Sequence, residues 1–409
     1  MGGDMTADAM AAHGVASEVI AGELGRVRAE LVAARELLAR EAPEALGKVE
    51  RLEREANTLE RKLVARVPWE AWSATRFAPG KAPPVRWLVP QVLPLGASAV
   101  LAAPGDAGKG MMCLNLALQV SSGRYLSGRR APFGHPIPSG TEPRRVVILA
   151  AEDDHDSIHR RLDVLDADGV MRREAGARLS IVPLPNIGGA FALLDGDQAS
   201  ERWGVLVDEL ERAGGAGLVA VDPLASFVPN DLNDPAVGNA VTRELTRAAV
   251  RLGGVVLACH HMAKPKTDGR GRGLPTHEDA RDRIRGSTAI VDGPRVSYAL
   301  LPVPNAEARA VLAKLGEAGA LDVGRVYWGA VVKANGEADR APRLYVRAPG
   351  GLLEDRTSDV RENGERLEDA IKRLAAEPSK VSRLRGSTGA DRAAGSAPSN
   401  GDRDRGASW

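Results

Sequence analysis

The chain has 409 residues, with 55 Lys+Arg against 54 Asp+Glu and a formal net charge of +1. That length accommodates one large α/β core with appendages, and the balanced charge excludes a globally basic nucleic-acid binder, so any such surface has to be local. Aromatic residues are only 3% of the chain, too few for a sheet that stacks bases across its face.

The N-terminal MGGDMTADAM has neither a basic start nor an apolar core, and no apolar run reaches membrane-spanning length. No signal peptide and no membrane are therefore expected. The two cysteines, Cys113 and Cys259, sit in apolar runs without metal-ligand spacing and read as buried free thiols, which fits a cytoplasmic setting.

Residues 1–14 are small and polar and are expected to lack structure. From Ile20 to Leu63 the composition turns to Ala, Glu, Leu and Arg, with apolar positions at Ile20, Leu24, Val27 and Leu31, then Val49, Leu52, Ala56, Leu59 and Leu63. The spacing is a heptad-like seam whose phase slips near Pro43, which predicts two helices in a hairpin. Residues 1–67 are thus an N-terminal helical segment. It is either a cap packed on the core or a coiled coil that mediates assembly or meets a protein partner over residues 15–66. Residues 68–97, rich in Pro and Trp, read as a linker packed on the core, with Trp69, Trp72 and Trp87 as anchors.

Residues 98–118, SAVLAAPGDAGKGMMCLNLAL, hold the strongest signal. They predict a strand over Ser98–Ala102, a small-residue turn over Ala103–Gly108, and an apolar helix over Met111–Val120. This is the layout of a phosphate-binding loop, in which backbone N–H groups, the helix N-terminus and a lysine converge on phosphate. Pro104, Gly105, Asp106, Ala107, Gly108, Lys109, Gly110 and Met111 are the candidate nucleotide-binding residues, and ATP with Mg²⁺ is the expected ligand. The pattern departs from G-x-x-x-x-G-K-[ST] twice, at Ala103 and at Gly110. The second departure removes the hydroxyl that normally ligates Mg²⁺.

Strands and helices then alternate. Strands are expected over Arg145–Ala151, Arg178–Pro183, Gly217–Asp222 and Gly254–Cys259, with helices over Asp156–Leu165, Ser200–Ala213 and Asn239–Arg251. Further strands are expected near Pro294–Leu301, Tyr327–Val332 and Leu344–Val346. Such alternation implies an α/β fold, a mostly parallel twisted sheet covered by helices on both faces, with ligands at the carboxyl ends of the strands. Residues 98–355 form this ATPase core. Residues 356–409 contain a short amphipathic helix (Gly364–Ala375) and a Gly/Ser/Arg/Asp tail expected to be disordered.

Four positions at strand ends could do chemistry on a bound triphosphate. Asp222 closes an apolar strand and is the candidate Mg²⁺ ligand. Glu152 closes another and could polarise the attacking water, while Asp153 and Asp154 read as caps of the next helix. His260 and His261 end the strand after Asp222; His261 is the preferred γ-phosphate sensor, against the alternative of a satisfied core histidine. Arg295 and Lys333, at late strand ends, read either as cations acting on a neighbouring subunit's nucleotide or as surface ion-pair partners. The long glycine-rich segment 264–285 carries Lys264, Lys266, Arg270 and Arg272. It is either a loop that tracks a phosphate backbone or a solvated one.

Taken together, these stretches resemble the RecA-like hexameric ATPases of the plasmid RepA replicative-helicase type, AAA-family ATPases, over roughly Trp87 to Val346. The resemblance rests on WLVPQVLPLG leading into APGDAGKG, VVILAAEDD with IHRRLDVL, LVAVDPLASF, VVLACHHMAK, RGSTAIVDGPR and VVKANGE. It implies that Lys109 is the phosphate-loop lysine, Glu152 the catalytic glutamate, Asp222 the second-motif aspartate and His261 the sensing histidine. Arg295 would be the arginine finger and Lys333 its companion from the next subunit. It further implies a homo-oligomer, a six-subunit ring with single-stranded DNA in its channel and segment 264–285 at the pore, so that ATP hydrolysis drives helicase-like translocation. The family has Ser or Thr where this chain has Gly110. That departure supports an alternative, an ATP-binding assembly scaffold with weak or no hydrolysis that recruits a partner through its helical N-terminus.

Overall fold

The structure is a computed structural model. It describes residues 22–35, 37, 45–64, 74–77, 80, 82–263, 274–317 and 323–376, which fall in two compact units, Met1–Pro84 and Val85–Trp409.

Among its described residues the first unit has two α-helices, α1 (residues 22–35) and α2 (Ala45–Val64), and a 3-10 turn at Ala74–Phe77. Leu24, Val27 and Ala34 from α1 and Val49, Leu52, Ala56 and Leu59 from α2 share one buried cluster. Spacings of three, four and seven residues, with the partly buried Leu31 between Val27 and Ala34, put them on one stripe of each helix, as the seam predicts. Arg35 Nη2 donates to Glu53 Oε1 at 2.8 Å between the two helices. Ile20, Pro43, Trp69 and Trp72 lie outside the described residues, as does the side chain of Leu63.

The second unit opens with a small antiparallel pair, β1 (Trp87–Val89) and β2 (Leu93–Pro94). Next come β3 (Ala97–Ala103), α3 (Lys109–Ser122), β4 (Val146–Ala150), α4 (His155–Leu165), α5 (Val170–Ala175) and β5 (Leu179–Pro183). A second small pair, β6 (Leu194–Asp195) and β7 (Gln198–Ala199), precedes α6 (Glu201–Arg212), β8 (Leu218–Asp222), α7 (Pro235–Leu252) and β9 (Val255–His261). After α8 (His277–Asp282) and α9 (Thr288–Asp292) come β10 (Val296–Pro302), α10 (Asn305–Lys314) and β11 (Val326–Ala334). The described chain closes with β12 (Arg343–Arg347), β13 (Leu353–Asp355), α11 (Thr357–Val360) and α12 (Leu367–Ala376).

Nine strands form one sheet in the order β13-β12-β11-β10-β3-β9-β8-β4-β5. The six from β10 to β5 run parallel, and β11, β12 and β13 add antiparallel strands at one end. The parallel strands are apolar on both faces because both faces are covered. Along β3, Val100 and Ala102 enter one apolar layer while Ala99, Leu101 and Ala103 enter the other; Val147 and Leu149 alternate with Val146, Ile148 and Ala150 in the same way along β4. One layer is closed by α3, α4 and α5, the other by α6, α7, α8, α9, α10 and α12. Helix α3 is buried on nearly every side from Met111 to Ser121, as expected of a helix without a polar face.

Register sets the position of the site. Ala103 lies opposite His261, and Ala150 opposite Asp222. The carboxyl ends of β3, β9, β8 and β4 therefore align on one edge of the sheet, with Glu152 two residues beyond β4. Val296 pairs with Ala99, and Ser297 with Lys333. Arg295 and Lys333 thus stand at the opposite edge, away from the loop of their own chain.

Two expectations need correction. The segment after His261 is not loop throughout: residues 277–282 form α8, capped by Thr276 and Asp279 reciprocally, and Met262 bridges Ile284. That capping box satisfies two backbone donors that a bare loop would leave to water. Asp154 alone caps α4, its Oδ1 accepting from Ser157 N at 2.7 Å, whereas Asp153 turns instead to Arg161. Lys264, Lys266, Arg270 and Arg272 lie outside the described residues, as does the tail 377–409.

Candidate nucleotide site

The loop between β3 and α3 begins at Pro104 and reaches the helix at Lys109. Gly108 adopts φ 90°, the left-handed region, and a Cβ there would come within 3.0 Å of Gly351 O and 3.0 Å of Leu353 Cγ. Both the conformation and the space require glycine. Asp106 also has a positive φ of 59°, a conformation that Asp tolerates better than most residues. Arg347 at the end of β12 anchors it, with Nη1 donating to the Asp106 carbonyl and lying 3.0 Å from Asp106 Oδ2. With the loop anchored by β12, the N–H groups at the start of α3 that lack intrahelical partners line an open cleft.

The cleft has a volume of about 850 Å³ and is lined by the loop, Glu152, Asp153, Arg161, Asp222 and His261, together with Arg325, Arg347 and Gly350–Gly351. Pockets of this size hold small-molecule cofactors. Lys109 Nζ stands 3.5 Å from His261 Nδ1, and His261 Nε2 stands 4.0 Å from Glu152 Oε1. Lys109, His261 and Glu152 therefore form a continuous row along the strand ends.

Electrostatics assign their states. Burial first, then the neighbouring Lys109 charge, hold the His261 pKa below its usual value, with Glu152 pulling the other way. His261 is neutral near pH 7. An ammonium facing Nδ1 requires a lone pair there, so the ring proton belongs on Nε2, the atom nearer Glu152. Burial pushes the Asp222 carboxyl up to about 6; Lys109 draws it down and Asp153 and Glu152 push it further up. A cation arriving beside Asp222 would ionise it fully. His260 behaves differently: it is buried, its Nε2 bonds Arg285 O at 2.8 Å, and its Nδ1 has no partner among the described residues. It is the structural member of the pair.

At Gly110 the chain has no side chain where a hydroxyl would reach Mg²⁺. A Cβ built there would lie 3.2 Å from Asp222 Oδ2 and 3.1 Å from Arg161 Nη1. Asp222 fits as a single carboxylate beside phosphate oxygens and water, which is how Mg²⁺ is commonly held. Glycine at 110 supplies no hydroxyl, and the Arg161 guanidinium, paired with Asp153, stands beside that position.

Arg295 is exposed at the far sheet edge, and Lys333 is nearly buried, with Nζ donating to Asp292 O at 2.7 Å and to Pro294 O. Neither reaches the cleft of its own chain. Sequence reasoning missed Arg161, Asp153 and Arg347. Asp153 reads in the sequence only as a candidate cap, and Arg161 meets it because the chain turns between β4 and α4. Arg347 had no signal, because it meets Asp106 across 241 positions.

Residues 64–267 match the family model described as an AAA domain. Over that stretch the chain is similar to this family. A solved structure described as the crystal structure of the RadB recombinase is 12% identical to this chain, covers 63% of it and 90% of its own length, and gives a TM-score of 0.35. The row from Lys109 to Glu152 lines the cleft that the loop opens.

Proposed function

We propose that the chain is an oligomeric ATPase of the RepA helicase type, which couples ATP binding and hydrolysis to single-stranded DNA. The observation that carries this reading is the row of Lys109, His261 and Glu152, spaced by 3.5 and 4.0 Å at the mouth of the loop. Lys109 and the first N–H groups of α3 bind the β- and γ-phosphates. Glu152, largely exposed to the cleft, orients and deprotonates the attacking water. The Nε2–H of His261 bonds the γ-phosphate in this reading and loses that partner when the group leaves. Asp222 would hold Mg²⁺, which when bound would neutralise phosphate charge.

Arg295 and Lys333 cannot serve the cleft of their own chain, so any role on nucleotide requires a second copy. A homo-oligomer, with a hexameric ring as the assembly, is the proposal that gives Arg295 such a role. Lys264, Lys266, Arg270 and Arg272 are proposed to meet DNA, and residues 15–66 a protein partner. The absence of a hydroxyl at Gly110 favours one alternative, an ATP-dependent scaffold with slow hydrolysis. Phosphate release and light scattering on the same samples, with and without ATP and single-stranded DNA, separate the two. A motor shows turnover that DNA stimulates; a scaffold shows ATP-dependent assembly with turnover unchanged by DNA.

A further inference from the structure

Glycine at position 110 is not demanded by the backbone. Gly110 is the second residue of α3 and has no left-handed torsion, and within a helix glycine is disfavoured relative to alanine. What surrounds it accounts for it. The space a Cβ would fill is flanked by Arg161 Nη1 at 3.1 Å and Asp222 Oδ2 at 3.2 Å.

Arg161 is delivered there by α4. That helix is fixed at its start by the Asp154 cap and along its length by the burial of Ile158 and Leu165. Its guanidinium pairs with Asp153 through Nη1 and lines the same cleft as the phosphate loop. Among the described residues only Nη1 is bonded, to Asp153, so Nε and Nη2 keep donors for another acceptor. A planar cation with spare donors beside a phosphate loop matches phosphate oxygens in charge and in geometry.

We propose that Arg161 contacts the phosphates of the bound nucleotide and supplies there the positive charge that a hydroxyl-held metal ion otherwise brings, with Gly110 leaving the room for it. This inference rests on the nucleotide-site reading. It makes binding of the triphosphate largely independent of Mg²⁺. It also makes Gly110 and Arg161 one device: a serine at 110 would press its Cβ on the guanidinium tip, displace it, and restore a metal ligand beside Asp222.

The test is a titration of the full chain with a fluorescent ATP analogue, in excess Mg²⁺ and in EDTA, with thermal melting to verify folding. The wild-type affinity should differ by less than about threefold between the two conditions, a small free-energy difference. Arg161→Ala should lose about tenfold or more in EDTA, the usual scale for a charge-assisted hydrogen bond, and lose less in Mg²⁺. Arg161→Lys should recover part of that loss, because it keeps the charge without the fork. Gly110→Ser should bind more tightly in Mg²⁺ than in EDTA. If Arg161→Ala fails to fold, the lysine and serine variants decide by the same comparison. Wild-type protein that binds only with Mg²⁺, or an alanine variant that binds like wild type in EDTA, overturns the proposal and leaves Arg161 as a structural ion pair. Wild-type protein that binds in neither condition overturns the nucleotide-site reading itself.

Discussion

At the scale of single residues, the site assigns different work to neighbours of the same type. His260 and His261 are adjacent, yet the strand alternation sends one into the protein against Arg285 O and the other into the cleft beside Lys109. Glu152 and Asp153 are adjacent too, and one faces the His261 ring while the other anchors Arg161. Glu152→Gln should leave nucleotide affinity within about threefold. Its turnover should fall by about 10²–10⁴-fold, the range for loss of a general base, as read by phosphate release beside a binding titration. Gly108→Ala faces both the positive φ and the 3.0 Å approach of Gly351 O. It should cost about 1–3 kcal/mol of stability and weaken nucleotide binding at the same time. A melt shifted with binding intact would show that the loop tolerates a different path.

At the scale of elements, α3 and α12 illustrate two ways of fixing a helix. Helix α3 is held by burial on all sides and needs no polar cap; its N-cap Gly108 makes no side-chain bond. Helix α12 offers Leu367, Ala370, Ile371 and Leu374 to the core, and its approach is tied down by charge. Arg373 donates from Nε and Nη2 to the two oxygens of Glu365, each at 3.0 Å, and Glu365 also accepts from Glu362 N. Arg373 foremost, then that backbone bond, hold the Glu365 carboxyl down at about 2, against an ordinary 4.5. A depressed folded pKa means that the contribution to stability is present above the ordinary value and lost as pH falls through the folded one. Glu365→Gln should therefore be less stable than wild type at pH 7, and the gap in denaturant midpoint should close between pH 4.5 and about 2. A gap that persists unchanged at pH 2 would mean the carboxylate charge is not what ties α12 down.

At the scale of the whole molecule, the sheet separates two sets of groups. The loop and its acids occupy the carboxyl edge of the parallel strands, while Arg295 and Lys333 occupy the other. A shared site predicts complementation. Glu152→Gln and Arg295→Ala should each be inactive alone. A random one-to-one mixture should regain activity at about a quarter of its interfaces, where an intact glutamate meets an intact arginine. Phosphate release from the mixture checks this, and a mixture as inactive as its components would place Arg295 outside the reaction.

Local signals in the chain determined a good deal. Apolar runs ending in Lys109, Glu152, Asp222 and His261 are short-range patterns, and each strand or helix that bears them formed within a few residues of its expected bounds. The alternation of strand and helix implied a parallel sheet, and parallel strands must be covered on both sides because their side chains point both ways. The heptad spacing marked Leu24, Val27, Val49 and Leu52 as buried for the same local reason. Only the tertiary structure decided the rest. Strand order and register align four strand ends on one edge, and no spacing along the chain encodes that. Arg347 reaches Asp106 from a strand added at the sheet's far end, and Gly351 makes Gly108 obligatory from the turn after it. The emptiness of position 110 reads in the sequence as a missing hydroxyl. In space it is flanked by a guanidinium carried in by α4 and by the Asp222 carboxylate, because packing against the sheet, and not sequence distance, sets which charges meet.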